Sequence, residues 1–214
     1  MDPSHFFWLE ERVEIMSRYE LLSGNEAIAR GAYEAGVKVA AAYPGTPSTE
    51  ILENIASYDR IKSQWAPNEK VALEVAVGAS IAGARSLAAM KHVGVNVAAD
   101  PLLTFSYTGV GGGMVLVSAD DPAMHSSQNE QDNRYYGLLA KIPVLEPSDS
   151  QEAKDFVMEG LALSEEFDTP VILRTTTRVN HSKSLVEIGQ PQEITVKAYE
   201  KNPAKYVMTP GNAV

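Results

Sequence analysis

Apolar residues in this chain follow two rhythms. Short, nearly continuous apolar runs occur at Val37–Ala42, Ser86–Lys91, Met114–Ser118, Ile142–Pro147 and Pro170–Thr175. Runs of that kind, bounded by turn residues, predict strands buried on both faces. Ser17–Leu22 reads as a first strand or an entry segment. Between the runs, apolar positions recur every three or four residues, which predicts helices. Asn25 is placed to cap a helix carrying Ala27, Ile28, Gly31 and Ala35, stopped at Gly36. Thr46 is a good cap residue, and Pro47 suits the first position of a helix carrying Ile51, Leu52 and Ile55. Glu69 heads a long helix of small and apolar residues that ends near Gly83. A shorter helix is expected from Asn96 to Phe105, and Ser148–Gln151 reads as a capping box opening a helix to about Phe167.

Strands alternating with helices at this spacing predict right-handed crossovers. The fold class expected is α/β, with a doubly wound, open, mostly parallel sheet and helices on both faces. Residues 1–15 mix aromatics with Glu10, Glu11, Arg12 and Glu14 and show no clear link to the regular pattern of the later chain. They are expected to be a leader or an added segment, with Met16 as the natural start. Residues 16–189 form the expected domain. Residues 190–214 are polar, Pro-containing and weakly periodic, and read as a linker arm.

Composition narrows the function classes. A net charge of −10 argues against a general nucleic-acid or anionic-membrane binder, because neutralising phosphates needs an excess of Lys and Arg. With no cysteine, the chain alone houses no disulfide, zinc thiolate site or iron–sulfur cluster. The N-terminus lacks the basic start and apolar run of a signal peptide, and no stretch approaches the roughly 18 apolar residues of a membrane span. A cytoplasmic location is the default expectation.

Ligands of open parallel sheets sit beyond the carboxyl ends of the strands. The Pro44–Thr49 turn lies at such an end. It is open to two readings, an ordinary capped turn or a ligand-binding turn at a helix N-terminus. Glu69 is likewise either a helix-end acid stabilised by the dipole, worth roughly 0.3–1 kcal/mol, or an acid kept for chemistry. Glu74 is the competing carboxylate. The Gly109–Gly113 run lacks the Gly-Lys-Ser/Thr of a phosphate-binding loop and reads as a turn. His92 and His125 lack metal-ligand spacing, so no metal ligands are assigned. The polar run Ser126–Arg134 is either a solvated loop or an active-site or subunit-contact loop.

Five longer segments decide between these readings. They are Leu22–Gly31, Tyr43-Pro44-Gly45-Thr46-Pro47-Ser48, Asn68–Glu74, Lys91–Pro101 and Val117–Arg134. Together with Pro203–Ala213 they resemble the α subunit of the indolepyruvate:ferredoxin oxidoreductases. These are an archaeal and anaerobic-bacterial branch of the thiamine-dependent 2-oxoacid:ferredoxin oxidoreductases. The resemblance covers about residues 20–214 and implies the pyrimidine-binding (Pyr) domain of a thiamine-diphosphate enzyme.

By that resemblance, Glu69 matches the glutamate that hydrogen-bonds the aminopyrimidine ring nitrogen N1′. That contact favours the tautomer able to take the thiazolium proton. A carboxylic acid in an apolar pocket resists ionising, which suits such a role. Thr46 matches a threonine facing the thiazolium and substrate, with Tyr43, Pro44 and Gly45 shaping that wall. His92, Gly94 and Asn96 look like a second active-site loop. Gly45 stands where relatives often carry Ile, which suggests room for an aryl group. The arginine that grips the substrate carboxylate in relatives has no evident counterpart. Also absent are the Gly-Asp-Gly and downstream Asn that hold diphosphate and Mg²⁺, and the ferredoxin-like Cys clusters.

The resemblance therefore implies half of a cofactor site, inactive alone. The partners it implies are downstream α-subunit domains, a β subunit, ferredoxin, coenzyme A and an aryl 2-oxoacid, within an oligomeric assembly. Two rivals are another 2-oxoacid specificity and a stand-alone assembly or regulatory domain.

Overall fold

A computed structural model describes residues 18–213. The proposed leader and the Met16 start lie outside the described residues. In chain order the elements are β1 (Arg18–Ser23), α1 (Gly24–Glu34), β2 (Val39–Ala42), α2 (Thr49–Ile55), β3 (Lys62–Trp65) and α3 (Glu69–Ile81). Next come β4 (Ser86–Lys91), α4 (His92–Val97), α5 (Ala99–Thr108), β5 (Met114–Asp120), α6 (Arg134–Ala140) and β6 (Val144–Leu145). The chain continues through α7 (Ser150–Phe167), β7 (Val171–Thr176), α8 (Thr177–His181), β8 (Lys183–Ile188) and α9 (Pro203–Tyr206).

Six of the described strands form one parallel sheet in the order β3-β2-β4-β5-β7-β6. Side chains alternate along each strand, so the two faces feed separate cores. Ala40, Ala42, Leu87, Ala89, Val115, Val117 and Leu173 face one way, onto α1, α2 and α7. Ala88, Met90, Met114, Leu116 and Ile172 face the other way, onto α3, α4 and α5. The expected doubly wound sheet with helices on both faces is what forms. Small residues set its spacing. Ala41 of β2 meets Ala72 of α3, so the Ala-rich helix lies close on the strand.

The strand order locates the crevice. From β2 the chain moves outward to β3, and then returns to place β4 on the other side of β2. That reversal is a switch point, where a crevice opens beyond the carboxyl ends of β2 and β4.

Several local expectations are corrected. Ser23, not Asn25, caps α1: its side chain accepts from Glu26 N while Glu26 accepts from Ser23 N. Asn25 instead donates to Pro47 O at 2.8 Å and Glu50 Oε2 at 3.0 Å, tying α1 to the turn after β2. Thr46 does not cap α2, which begins at Thr49. The turn closes on itself first, with Thr49 Oγ1 accepting from Gly45 N at 2.9 Å and Ser48 N donating to Gly45 O at 2.8 Å. The single helix expected over 96–105 is two, α4 and α5, and α4 begins at His92. Asp149 caps α7. Strand β8, which the residue pattern does not announce, pairs antiparallel with β1 as a separate two-stranded ribbon.

Residues 190–213 contribute no strand, yet they are docked on the domain. Gln192 N donates to Glu34 O at 2.8 Å, and Lys197 N donates to Gly83 O at 3.0 Å. Lys205 Nζ reaches Asp168 Oδ1 at 2.7 Å and Val110 O at 3.0 Å. Among the described residues, no helix is long and apolar enough to cross a membrane.

Candidate active site

Glu69 is the first residue of α3, in the connection from β3 to β4. Asn68 sets that start by accepting from Val71 N at 2.9 Å through its side chain. The Glu69 side chain is half-buried and Glu74 is exposed. What touches Glu69 is informative. A Cβ at Gly94 of α4 would lie 2.6 Å from both Glu69 Cγ and Oε1. The absence of a side chain at position 94 is therefore what lets the carboxylate lie against the first turn of α4.

Across the crevice, Tyr43, Pro44 and Thr46 are exposed on the turn after β2. Gly45 in the same turn does not open free room. A Cβ there would lie 3.0 Å from Lys91 Cδ and 3.3 Å from Lys91 Cγ. The space that the missing side chain leaves is taken by the stem of Lys91, the last residue of β4.

His92 and Asn96 face a different neighbour, the loop 121–133. His92 is fully buried, and its Nε2 lies 3.0 Å from Asn129 O. A carbonyl only accepts, so Nε2 carries a proton. Nδ1 is buried with no partner among the described residues. Asn96 pairs with Gln131 at 2.9 Å and accepts from Tyr136 OH at 2.6 Å. The structure thus brings Gly94 to Glu69 and Gly45 to Lys91, and turns His92 and Asn96 toward the loop.

That loop is a clamp. Gln131 Nε2 and Asn133 Nδ2 each donate to His92 O at 3.0 Å, holding the entrance of α4. Asn133 also donates to Ser118 Oγ at 2.7 Å, and its backbone N donates to Asp120 Oδ2 at 3.1 Å. Asp120 takes a further bond from Arg174 Nε at 2.9 Å, and Arg174 pairs in turn with Glu146. Burial pushes the Asp120 carboxyl up from its ordinary range, against the opposing pull of Asn133 and Arg174. Asp121 behaves oppositely. Burial raises it too, but hydrogen bonds from Thr177, Ser126, Ser127 and His125 outweigh burial and hold it well below the usual carboxylate range. Asp132 is held down to about 2, chiefly by the Arg134 side chain.

Residues 30–214 match the family described as pyruvate flavodoxin/ferredoxin oxidoreductase, thiamine diphosphate-binding. The chain belongs to that family. It is 55% identical over 201 residues to the indolepyruvate oxidoreductase subunit IorA of Archaeoglobus fulgidus. It is 53% identical over 196 residues to the subunit of the same name from Methanothermobacter marburgensis. Each alignment covers 90% of this chain and 32% of the relative, so the chain spans about a third of those relatives' length. A more distant relative is the 2-oxoglutarate synthase subunit KorA of A. fulgidus, 28% identical over 85% of this chain and 55% of that one. Among solved structures, a 2-oxoglutarate:ferredoxin oxidoreductase from Magnetococcus marinus shares the fold. The TM-score is 0.72 at 20% identity, covering 92% of this chain and 37% of that one.

Within this thiamine-diphosphate-binding family member, Lys91, Gln131 and Asn133 were not singled out by residue pattern. Lys91 had one weak signal, a lone cation closing an otherwise uncharged strand. The amide clamp had only the polar density of Ser126–Arg134.

Proposed function

We propose that this chain is the pyrimidine-binding half of the thiamine-diphosphate site in the α subunit of an indolepyruvate (arylpyruvate) ferredoxin oxidoreductase. In this reading residues 16–189 are the Pyr-type domain, and 190–214 the arm leading to the rest of the subunit. The parent reaction joins an aryl 2-oxoacid and coenzyme A to give the aryl-acetyl-CoA, CO₂ and a proton, with an electron pair passed to ferredoxin. A β subunit, the downstream α domains and a cytoplasmic setting belong to the same reading.

The observation that carries it is the Glu69 carboxylate lying against Gly94 beside the switch-point crevice. That placement supports a site for a heteroaromatic ring. Gly94 lets the acid lie against α4, where it is half-buried and able to meet a ring nitrogen. Thiamine diphosphate, when bound, supplies the carbon nucleophile and the electron sink for a 2-oxo carbon.

This chain's residues do the rest. Glu69 holds a proton at its carboxyl and shares it with a ring nitrogen. Thr46 offers an exposed hydroxyl, with Tyr43, Pro44 and Gly45 as the wall beside it. Gly94 gives the close approach, while His92 and Asn96 hold α4 in place through the loop. The half-buried setting of Glu69 supports a site completed by another domain. The diphosphate and Mg²⁺ are assigned to that other domain.

The test is Glu69→Gln in the full-length complex. Turnover is expected to fall on the order of 10²–10⁴-fold, and wild-type turnover would reject the assignment. Assays against indolepyruvate, phenylpyruvate, pyruvate and 2-oxoglutarate separate the aryl reading from other 2-oxoacid specificities.

A further inference from the structure

A 2-oxoacid substrate is an anion, and this chain carries a net charge of −10. This chain's own charge disfavours such a substrate, which directs attention to any unpaired cation beside the crevice. Cations at the carboxyl end of the sheet are mostly committed. Arg174 is paired with Asp120 and Glu146, Arg134 with Asp132 and Glu146, Lys183 with Glu26, and Lys70 with Asp100.

Lys91 is different. Among the described residues it is in no ion pair, and its one hydrogen bond is to a neutral acceptor, Ser126 O, at 3.1 Å. An ammonium carries three donors, so two remain for a ligand. The carboxylates of the neighbouring loop are already engaged. Asp121 accepts from Ser126 N, Ser127 Oγ and Thr177 Oγ1, and Glu130 accepts from Ala123 N.

Position makes this charge useful. Lys91 ends β4 at the switch point, immediately before the helix whose Gly94 meets Glu69. Its stem lies over Gly45, next to the exposed Thr46. A Cβ at 45 would stand 3.0 Å from Lys91 Cδ, so the stem would have to give by a few tenths of an ångström. Gly45 thus lets the Lys91 stem lie close over the turn, with the ammonium beyond it at Ser126 O.

We propose that Lys91 anchors the carboxylate of the 2-oxoacid substrate through its ammonium group. The inference rests on the function proposed above. It also predicts a kinetic signature. A contact made to the carboxylate in the bound substrate is not strengthened as CO₂ departs, so it contributes to binding more than to the chemical step.

The experiment uses the full-length complex with Lys91→Gln and Lys91→Arg. Lys91→Gln is expected to raise KM for the 2-oxoacid roughly 10–100-fold, the range for a hydrogen bond to a charged group. kcat should change far less. The methyl ester of the same 2-oxoacid lacks the negative charge, and its inhibition constant should be unchanged. Lys91→Arg keeps the charge and should recover most of the lost affinity. Arg178, an exposed cation of α8 that is also in no ion pair among the described residues, is the control, and Arg178→Gln should leave KM unaltered.

An unchanged KM in Lys91→Gln overturns the assignment. Equal weakening of acid and ester also overturns it, since that is what a merely structural lysine would give. If the wild-type complex lacks thiamine-dependent turnover, the proposed function fails as well. If the wild type is active and the Lys91 variants behave like it, only the anchor is lost.

Discussion

The Glu69 carboxylate lies where a side chain at Gly94 would stand. The two residues come from separate crossovers, one opening α3 after β3 and the other in the first turn of α4 after β4. The switch-point topology brings those helix starts together over β2 and β4. Each constrains the other: the acid needs the bare backbone of α4, and α4 is held at that height by the amides that grip His92 O.

Gly94→Ala tests this relation. Its Cβ would press on Glu69 Cγ and Oε1, the far end of a flexible side chain, so the domain can yield at small cost. Alanine also favours a helix over glycine by about 1 kcal/mol. The thermal midpoint should therefore hold or rise, while a carboxylate displaced by about 1 Å should cost on the order of 10²-fold in turnover. Stability by calorimetry and activity of the full-length complex should separate. A parallel loss of both would mean that Gly94 serves packing alone.

The clamp on His92 predicts non-additivity. Asn133 is buried and its side chain serves Ser118 as well as His92 O, so Asn133→Ala should cost about 1–3 kcal/mol. Gln131→Ala should cost less, because Gln131 is only half-buried and Asn133 still holds the carbonyl. Removing both leaves that acceptor without either donor. Urea denaturation of the double variant should show a loss larger than the sum by roughly 0.5–2 kcal/mol. Strict additivity would show that the two amides act independently.

Asp121 sets an acid limit. Its folded carboxyl sits below the usual range, because the loop's hydrogen bonds outweigh the effect of burial. The unfolded chain therefore takes up the proton first as pH falls. The stability Asp121 contributes is fully present above an ordinary carboxylate value of about 4 and is lost as pH drops below it. Asp121→Asn should lower the melting temperature at neutral pH and flatten its decline between about pH 5 and about pH 3. A variant whose acid slope matches the wild type would remove Asp121 from that account.

Much of the architecture was legible because its strands are buried on both faces. The runs at 86–91, 114–118 and 170–175 have no polar face to confuse the period, and β4, β5 and β7 form there. Strand β3 is illegible in the residue pattern for the opposite reason. Lys62-Ser63-Gln64-Trp65 is a polar edge strand, paired among the described strands only to β2. Helix α6 was hidden because Tyr135, Leu138 and Leu139 are exposed, so its apolar residues mark no inward stripe. At the site, Glu69 and the turn at 43–48 were ambiguous by spacing and gained meaning only as a set of motifs in one order. The amide clamp had no local signature beyond the polar density of Ser126–Arg134. It joins residues 39 and 41 positions apart, and only the fold brings them together.

The docked segment after β8 gives the last prediction. Gly83 ends the turn after α3 with φ of +90°, a conformation that side chains rarely adopt. Its O accepts from Lys197 N at 3.0 Å, and a Cβ there would collide with the Lys197 backbone carbonyl. Neither partner in that collision is a flexible side-chain end, so both the turn and the docked segment would have to shift. Gly83→Ala should therefore destabilise the chain by about 2–3 kcal/mol, combining backbone strain with the lost contact. Lys197→Ala keeps the backbone hydrogen bond and removes only an exposed ammonium near Glu165 and Gly111 O, so it should cost under about 1 kcal/mol. Limited proteolysis between residues 190 and 205 should accelerate in Gly83→Ala and not in Lys197→Ala. Equal protection in both variants would show that the segment is held by its other contacts, at Glu34 and Asp168, without help from the turn at Gly83.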